Sequence, residues 1–95
     1  MKVRFTTAAR DDIAGIHEYI ARDNPVAAAK VIAAIERSTM RLAAFPLSGR
    51  IGAVEATREL VVPQLPFIAV YRLIHDGVEI IGVFHAAQDK PRSGF

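Results

Sequence analysis

The stretch from Phe67 to His85, FIAVYRLIHDGVEIIGVFH, decides the fold. It contains two runs of apolar and β-branched residues, which are typical of β-strands. Asp76-Gly77 lies between them and predicts a two-residue type I′ turn, because Gly adopts positive φ without strain. The stretch is therefore predicted to form an antiparallel hairpin with strands at 67–74 and 78–85.

The predicted turn sets the pairing of these two strands. With Asp76-Gly77 as the turn, Ile74 is expected opposite Glu79, and Tyr71 opposite Gly82. Side chains then alternate between two faces of the sheet. The first face carries Ala69, Tyr71, Leu73, Ile80, Gly82 and Phe84. The second face carries the aliphatic Ile68, Val70, Ile74, Ile81 and Val83, together with Arg72, Glu79 and His85.

The aliphatic second face of the sheet needs to be shielded from water. Two helices of ordinary length can pack on only one face of a sheet, and a large exposed apolar face is rare in a protein that acts alone. We expect it to be covered by a second copy of the chain, a partner peptide or the chain's own tail. A register shift of one residue would exchange the two faces.

Helical periodicity precedes the hairpin. Apolar residues recur at helical spacing from about Ala8 to Arg22, after two threonines that suit an N-cap, with Asp11 and Asp12 expected in the first turn. Asn24-Pro25 predicts a second start, because Asn caps a helix and Pro suits its first position. The second helix is expected to run to about Ala44.

Three further segments complete the predicted order. Residues 3–5 form a short strand, residues 45–56 a loop that begins with Pro and Gly, and residues 58–62 another strand ended by proline. The order β-α-α-β-β-β predicts an α+β domain in which a helical hairpin packs on an antiparallel sheet.

Composition limits what this chain can be. Its 95 residues suit one domain, 1–95, whose last residues, 86–95, we expect to be loosely held. The absence of cysteine excludes disulfides, zinc–thiolate sites and a cysteine nucleophile. A net charge of +2 permits nucleic-acid contact without predicting it. No signal peptide or membrane span is recognisable, so a cytoplasmic location without membrane contact is expected.

No enzyme motif stands out among the residues. The three histidines lack the spacing of metal ligands, and neither a phosphate-binding glycine loop nor a nucleophile elbow is present. His85 closes a strand beside Gln88 and Asp89, where a general base or a phosphate contact could lie. Arg72 and Glu79 are expected to pair diagonally. We expect no metal and no cofactor.

Several short motifs, taken in order, resemble the RelE/ParE superfamily of type II toxin–antitoxin toxins. The resemblance spans nearly the whole chain and agrees with the predicted fold. The matching pieces are TAARDDI at 7–13, IHEYI at 16–20, NP at 24–25, FPLSGR at 45–50, RELVV at 58–62, VYR at 70–72 and VFHAAQDKP at 83–91.

The resemblance implies a growth-inhibiting toxin that an antitoxin neutralises. ParE-like members inhibit DNA gyrase, whereas RelE-like members cut mRNA in the ribosomal A site. Ribonuclease members carry an Arg just before the Val-Tyr strand core, where this chain has Ile68. The chain also has no tyrosine after Tyr71. These departures favour the gyrase-directed branch, with the ribonuclease as the alternative.

Site residues follow from this resemblance. A ribonuclease would use Arg58, Arg72 and His85, whereas the gyrase-directed branch has no catalytic residues. The surface expected to face the target carries Arg50, Arg58, Arg72, His85 and Gln88.

The expected partner is a cognate antitoxin in a possible hetero-oligomer. A disordered antitoxin segment could fold onto the aliphatic second face, at Ile68, Val70, Ile74, Ile81 and Val83, or onto the helical hairpin. A relative that binds an antitoxin without being toxic is a third hypothesis.

Overall fold

The computed structural model describes residues 1–87 and has the predicted order of elements with one additional strand. Gln88, one of the residues expected to face the target, and most of the predicted tail lie outside the described residues. The elements are β1 (Lys2–Phe5), α1 (Thr7–Ala21), α2 (Pro25–Met40) with a 3₁₀ turn at Arg41–Ala43, β2 (Arg50–Ile51), β3 (Arg58–Val61), β4 (Phe67–Ile74) and β5 (Gly77–His85).

Both helices start where the capping residues predicted. The Thr6 hydroxyl accepts a hydrogen bond from the Ala9 N–H at 3.1 Å, and the Asn24 side chain accepts one from the Ala27 N–H at 3.0 Å. Each bond satisfies a backbone donor that the first turn of a helix leaves without a partner. The second helix ends at Met40, earlier than predicted, and tightens into the 3₁₀ turn.

The five strands form one sheet in the order β1-β5-β4-β3-β2. Three of the pairings are antiparallel, which confirms the predicted antiparallel sheet, and the exception is the edge where β1 runs parallel to β5. The helical hairpin separates β1 from the other strands in the sequence, and the last strand, β5, is the one that lies beside β1. At the opposite edge, β2 is a two-residue strand inside the segment predicted as a loop.

The tight turn of the β4–β5 hairpin consists of His75 and Asp76, not Asp76-Gly77. Neither His75 nor Asp76 has positive φ, so the predicted type I′ turn is wrong. Gly77 pairs with Ile74 and also lies against Lys2 of β1. A Cβ at Gly77 would overlap the Lys2 carbonyl oxygen and lie 2.6 Å from the Lys2 nitrogen. The glycine is therefore required by the close approach of β1.

A β-bulge changes the predicted faces of β5. The register shifts between Val70 and Tyr71, so that Tyr71 pairs with Ile80 and Val70 with Gly82, leaving Ile81 as the extra residue. Beyond the bulge, each residue of β5 lies on the face opposite to the predicted one. Val83 and His85 join the face that the helices cover, and Phe84 leaves it.

The core lies between the helical hairpin and this face of the sheet. Ala9 of α1 and Ile35 of α2 are fully buried in one cluster with Tyr71 and Ile80. Among the fully buried polar side chains is Thr39, whose hydroxyl donates to the Ile35 carbonyl at 2.9 Å. No buried polar side-chain atom lacks a hydrogen-bond partner in the described chain, so the core carries no unsatisfied polar group.

Asp12 links α1 to the edge of β5. Asp11 and Asp12 were predicted in the first turn of α1, but the helix begins at Thr7 and both lie beyond that turn, so this prediction is wrong. The Asp12 carboxylate accepts a hydrogen bond from the Val83 N–H at 3.0 Å. The register of β1 with β5 ends at Ile80, so the helix takes over this edge of the sheet where the strand stops.

Candidate functional site

The loop at 44–49 joins the helical hairpin to strand β2 at the edge of the sheet, and Tyr71 holds it in place. The Tyr71 hydroxyl donates to the Pro46 carbonyl at 2.8 Å and accepts from the Gly49 N–H at 2.9 Å. A Cβ at Gly49 would lie only 2.6 Å from the Tyr71 ring and hydroxyl. Glycine is thus required at position 49 because any larger residue would overlap the Tyr71 side chain. The buried tyrosine fixes the loop through its two hydrogen bonds.

Arg58 holds the same loop from the neighbouring strand. Its Nη1 donates to the Gly49 carbonyl at 2.8 Å and to the Leu47 carbonyl at 3.3 Å. Arg58 pairs with Tyr71 across the two strands, so both side chains reach the loop from the same face. This arrangement gives Arg58 a structural role, because its donors are directed to the backbone of its own chain.

Arg50 is also bound within the chain. Its Nε and Nη2 donate to the Glu59 Oε1 at 3.2 and 3.0 Å. The other carboxylate oxygen, Oε2, accepts from the Ala53 N–H at 3.1 Å. Glu59 is 8% exposed, so its charge needs both partners. The pair joins β2 to β3 while the Arg50 side chain itself is 59% exposed.

Arg72 forms an ion pair on the second face of the sheet. Its Nε and Nη2 donate to the Glu79 Oε1 at 2.8 and 2.6 Å. The two residues are directly opposite each other, whereas the predicted pairing was diagonal, because the turn lies one residue earlier than expected. The prediction that they pair is confirmed, and the predicted geometry is wrong.

His85 lies at the far end of β5. Its ring packs edge-on against Phe67, with 5.5 Å between the ring centroids, and its Nδ1 accepts from the Ala87 N–H at 3.0 Å. His85 is exposed and lies on the helix-covered face of the sheet with Phe67, not on the second face where the sequence placed it.

The three residues proposed for a ribonuclease are not brought together. His85 is level with Phe67 on β4, whereas Arg58 is level with Tyr71 and Arg72 follows it. At 3.3 Å a residue, His85 lies about 13 Å from the level of Arg58 along the sheet. Arg72 lies on the opposite face. The described residues therefore do not assemble a shared site from Arg58, Arg72 and His85.

The aliphatic residues proposed to bind an antitoxin are mostly buried within this single chain. Val70 is 0%, Ile81 4% and Ile68 7% exposed, and Ile74 is half-buried. Val83 belongs to the core beneath the helices, because the bulge turns it away from the second face. Most of these aliphatic side chains are therefore already covered within a single chain and need no second copy or partner peptide to exclude water. The chain itself covers the middle strand of its sheet.

The helical hairpin offers a groove that sequence analysis did not locate. The groove has a volume of about 470 Å³ and lies between α1, α2 and the end of β1. Its lining combines the apolar Phe5, Ile13 and Ile32 with the ionisable Arg10, His17 and Glu36. The signal in the sequence was the spacing of residues 10, 13, 14 and 17, which repeats on one side of a helix.

Residues 1–87 contain no group of three His, Cys, Asp or Glu side chains placed to hold a metal ion. Neither of the two described α-helices is long and apolar enough to span a membrane.

The family of the chain is shown by a match to a family model. Residues 3–90 match the model of the ParE toxin of the type II toxin–antitoxin system parDE. The chain belongs to the ParE toxin family. The match spans nearly the whole of the 95-residue sequence, so the assignment of this ParE-family chain does not rest on one short motif.

Two relatives carry toxin names. Y4kP of Sinorhizobium fredii, which is named as a presumed toxin, is 43% identical over 91 residues, covering 96% of this chain and 94% of Y4kP. Toxin RelE2 of Caulobacter vibrioides is 32% identical over 87 residues, covering 92% of this chain and 97% of RelE2.

Two solved structures share the fold. A chain of the chromosomal ParDE system from P. aeruginosa has a TM-score of 0.80 and 25% identity, over 90% of this chain and 95% of that chain. A chain of the RelBE2 toxin–antitoxin complex from Mycobacterium tuberculosis has a TM-score of 0.63 and 26% identity, over 88% of this chain and 95% of that one. The ParE-family protein is therefore a toxin-type α+β domain.

Proposed function

We propose that this chain inhibits growth by binding DNA gyrase in the cytoplasm, and that a cognate antitoxin neutralises it. The observation that carries the proposal is the match to the ParE toxin model over residues 3–90. The geometry is consistent with an inhibitor that acts by binding, because Arg58 and Arg72 are engaged within the chain and lie apart from His85.

The alternative is a ribosome-dependent mRNA endoribonuclease. The specific observations in its favour are the relative named RelE2 and the structural likeness to the RelBE2 complex. Such an enzyme needs an acid or base and a cation close to one ribose and its phosphate. The separation of His85 from Arg58 along the sheet weighs against it.

A substitution of His85 separates the two mechanisms. If the chain binds gyrase without catalysis, His85→Ala should still block supercoiling by purified gyrase, because the imidazole then supplies at most one contact and transfers no proton. Cleavage of mRNA on translating ribosomes is measured in parallel. His75→Ala is the matched control, because His75 is an exposed histidine at the other end of the hairpin.

Two results would contradict this proposal. Ribosomal cleavage by the wild type that is lost in His85→Ala and kept in His75→Ala would establish the endoribonuclease. Unchanged supercoiling with the correctly folded wild type, combined with tight binding of the antitoxin, would leave a binding module without toxicity.

For the antitoxin, the groove on the helical hairpin is the better candidate surface. The predicted aliphatic residues are already covered, whereas the groove is open and has apolar and charged lining residues on two helices. Arg10 and Glu36 both line it and form no ion pair in the described chain. An amphipathic antitoxin segment could therefore bury apolar side chains there and pair with both charges.

Filling this groove should release the toxin from neutralisation. We expect Ala14→Trp to weaken antitoxin binding more than about tenfold, which corresponds to 1.4 kcal/mol, because the indole would occupy the volume that the antitoxin needs. Ala8→Trp is the control, since Ala8 is exposed and lies on nearly the opposite side of α1. Binding is measured by calorimetry with the small protein encoded beside the toxin gene. Equal affinities for the two variants would place the antitoxin elsewhere.

A further inference from the structure

The positive charges of the described chain fall into two groups. The first group is bound within the chain: Lys2 and Arg4 pair with Asp76, Arg22 with Glu18, Arg50 with Glu59, and Arg72 with Glu79, while Arg58 binds backbone carbonyls. The second group forms no ion pair or side-chain hydrogen bond within residues 1–87. It consists of Arg10, Lys30, Arg37 and Arg41, all on the helical hairpin or its 3₁₀ turn.

Three of these unpaired cations lie along one line of α2 and the 3₁₀ turn that continues it. We name this line the basic stripe: Lys30 and Arg37 of α2, and Arg41 of the 3₁₀ turn. All three side chains are exposed. With 3.6 residues a turn, positions 37 and 41 lie within about 20° of position 30 around the helix axis. The rise along the axis is about 10 Å from Lys30 to Arg37 and about 6 Å from Arg37 to Arg41.

The basic stripe carries charge of one sign only. Glu36, the acidic residue of α2, lies about 120° away around the helix and lines the groove described above. The positions between the cations on the stripe side, Ala33 and Ala34, are small. An approaching anionic surface would therefore meet three cations and no competing carboxylate from this helix.

Stabilisation of the helix explains only part of the arrangement of Lys30, Arg37 and Arg41. Basic side chains near the C-terminus of a helix interact favourably with its dipole, which suits Arg37 and Arg41. Lys30 lies in the second turn of α2, where the helix dipole does not stabilise a positive charge. Arg37 and Arg41 are also four residues apart, a spacing at which like charges repel each other.

We propose that the basic stripe binds the phosphate backbone of duplex DNA. DNA presents one negative charge for about every 1.7 Å of its axis, so an acid-free line of cations can engage successive phosphates. Guanidinium groups suit phosphate because they donate in a planar fork. The residues between its cations, Ala33 and Ala34, are too small to anchor an interface core, and the exposed apolar residues of α2, Val26 and Met40, lie towards the ends of the stripe.

The test uses the full chain and a fluorescently labelled duplex of arbitrary sequence, with affinity followed by anisotropy. Three phosphate contacts predict a slope of about −2.7 for log affinity against log salt, so binding should weaken about 20-fold between about 50 and 150 mM salt. The triple variant Lys30→Gln, Arg37→Gln, Arg41→Gln should lose more than about tenfold in affinity at the lower salt concentration.

A control with the same loss of charge separates the stripe from the net charge of the protein. Lys2→Gln, Arg4→Gln, Arg22→Gln removes three exposed cations from other surfaces and should change the affinity less than about threefold. Polyglutamate replaces the duplex in a third measurement and should bind more weakly.

Each of four results would overturn the proposal. They are equal losses in the two triple variants, no binding at about 50 mM salt, a salt slope near zero, and tighter binding to polyglutamate than to DNA. Circular dichroism verifies that both variants fold. None of these measurements contains gyrase or an antitoxin, so their outcome is independent of the function proposed above.

Discussion

Gly77→Ala is expected to lower the free energy of unfolding by about 3 kcal/mol, the upper end of the range for overpacking. The added methyl group would overlap the Lys2 carbonyl oxygen and lie 2.6 Å from its nitrogen. Both atoms belong to the backbone, so no side-chain rotation relieves the clash. The parallel strand β1 must move away from β5, and Val3 and Phe5 then lose their packing against the core.

The matched control for this substitution is Gly15→Ala. Gly15 lies in α1, and a Cβ there would meet nothing within 4 Å. Alanine should therefore stabilise the helix by about 0.5–1 kcal/mol. Urea unfolding followed by circular dichroism measures both variants. Equal stability of Gly77→Ala and the wild type would show that the Lys2 backbone lies farther from Gly77 and leaves room for a methyl group.

Tyr71→Phe is expected to lower the free energy of unfolding by about 2–3 kcal/mol, because the hydroxyl binds two backbone groups at once. Its removal leaves the Gly49 N–H and the Pro46 carbonyl without their partner, while the ring still fills the core. The loss should concentrate in the loop, so hydrogen exchange of the Gly49 amide is expected to accelerate.

Tyr19→Phe removes the same hydroxyl from a different environment. Tyr19 is 73% exposed and its hydroxyl forms no hydrogen bond within residues 1–87, so the free energy of unfolding of Tyr19→Phe should stay within about 0.5 kcal/mol of the wild type. A similar loss in both variants would mean that the Tyr71 hydroxyl does not hold the loop. The comparison also shows whether Arg58, which binds the Gly49 and Leu47 carbonyls, keeps the loop in place alone.

The helices could be predicted because their signals are local. Thr6 and Asn24 cap the helices that the sequence indicated, since an N-cap needs only its own side chain and a backbone N–H three residues later. Strand β4 has its predicted limits for a related reason, because an uninterrupted apolar run of this length is typical of a buried strand.

The turn and the faces could not be predicted in the same way. The Asp76-Gly77 pattern favoured a type I′ turn, but Gly77 serves a contact with Lys2, 75 residues earlier in the chain. The bulge at Ile81 then moved Val83 and His85 to the other face. A register depends on every contact of a strand, and one inserted residue reverses the faces beyond it.

The candidate site shows the same division. The sequence placed Arg50, Arg58 and Arg72 on the surface expected to face the target, which stays a prediction, and the predicted pairing of Arg72 with Glu79 is confirmed. Their intramolecular bonds to the carboxylate of Glu59, to loop carbonyls and to Glu79 arise from segments that meet only in the folded chain. Sequence spacing therefore could not show that these arginines are engaged within the protein.

By itself, the sequence determined the order of helices and strands, the α+β class and the resemblance to RelE/ParE toxins, because capping, hydrophobic period and motif order are properties of neighbouring residues. Only the tertiary structure decided which residues remain available to a partner. Three features depend on such availability: the burial of Val70 and Ile81, the groove beside α1, and the unpaired cations of the basic stripe. Each depends on contacts between residues that are far apart in the sequence, and those contacts form only when the chain folds.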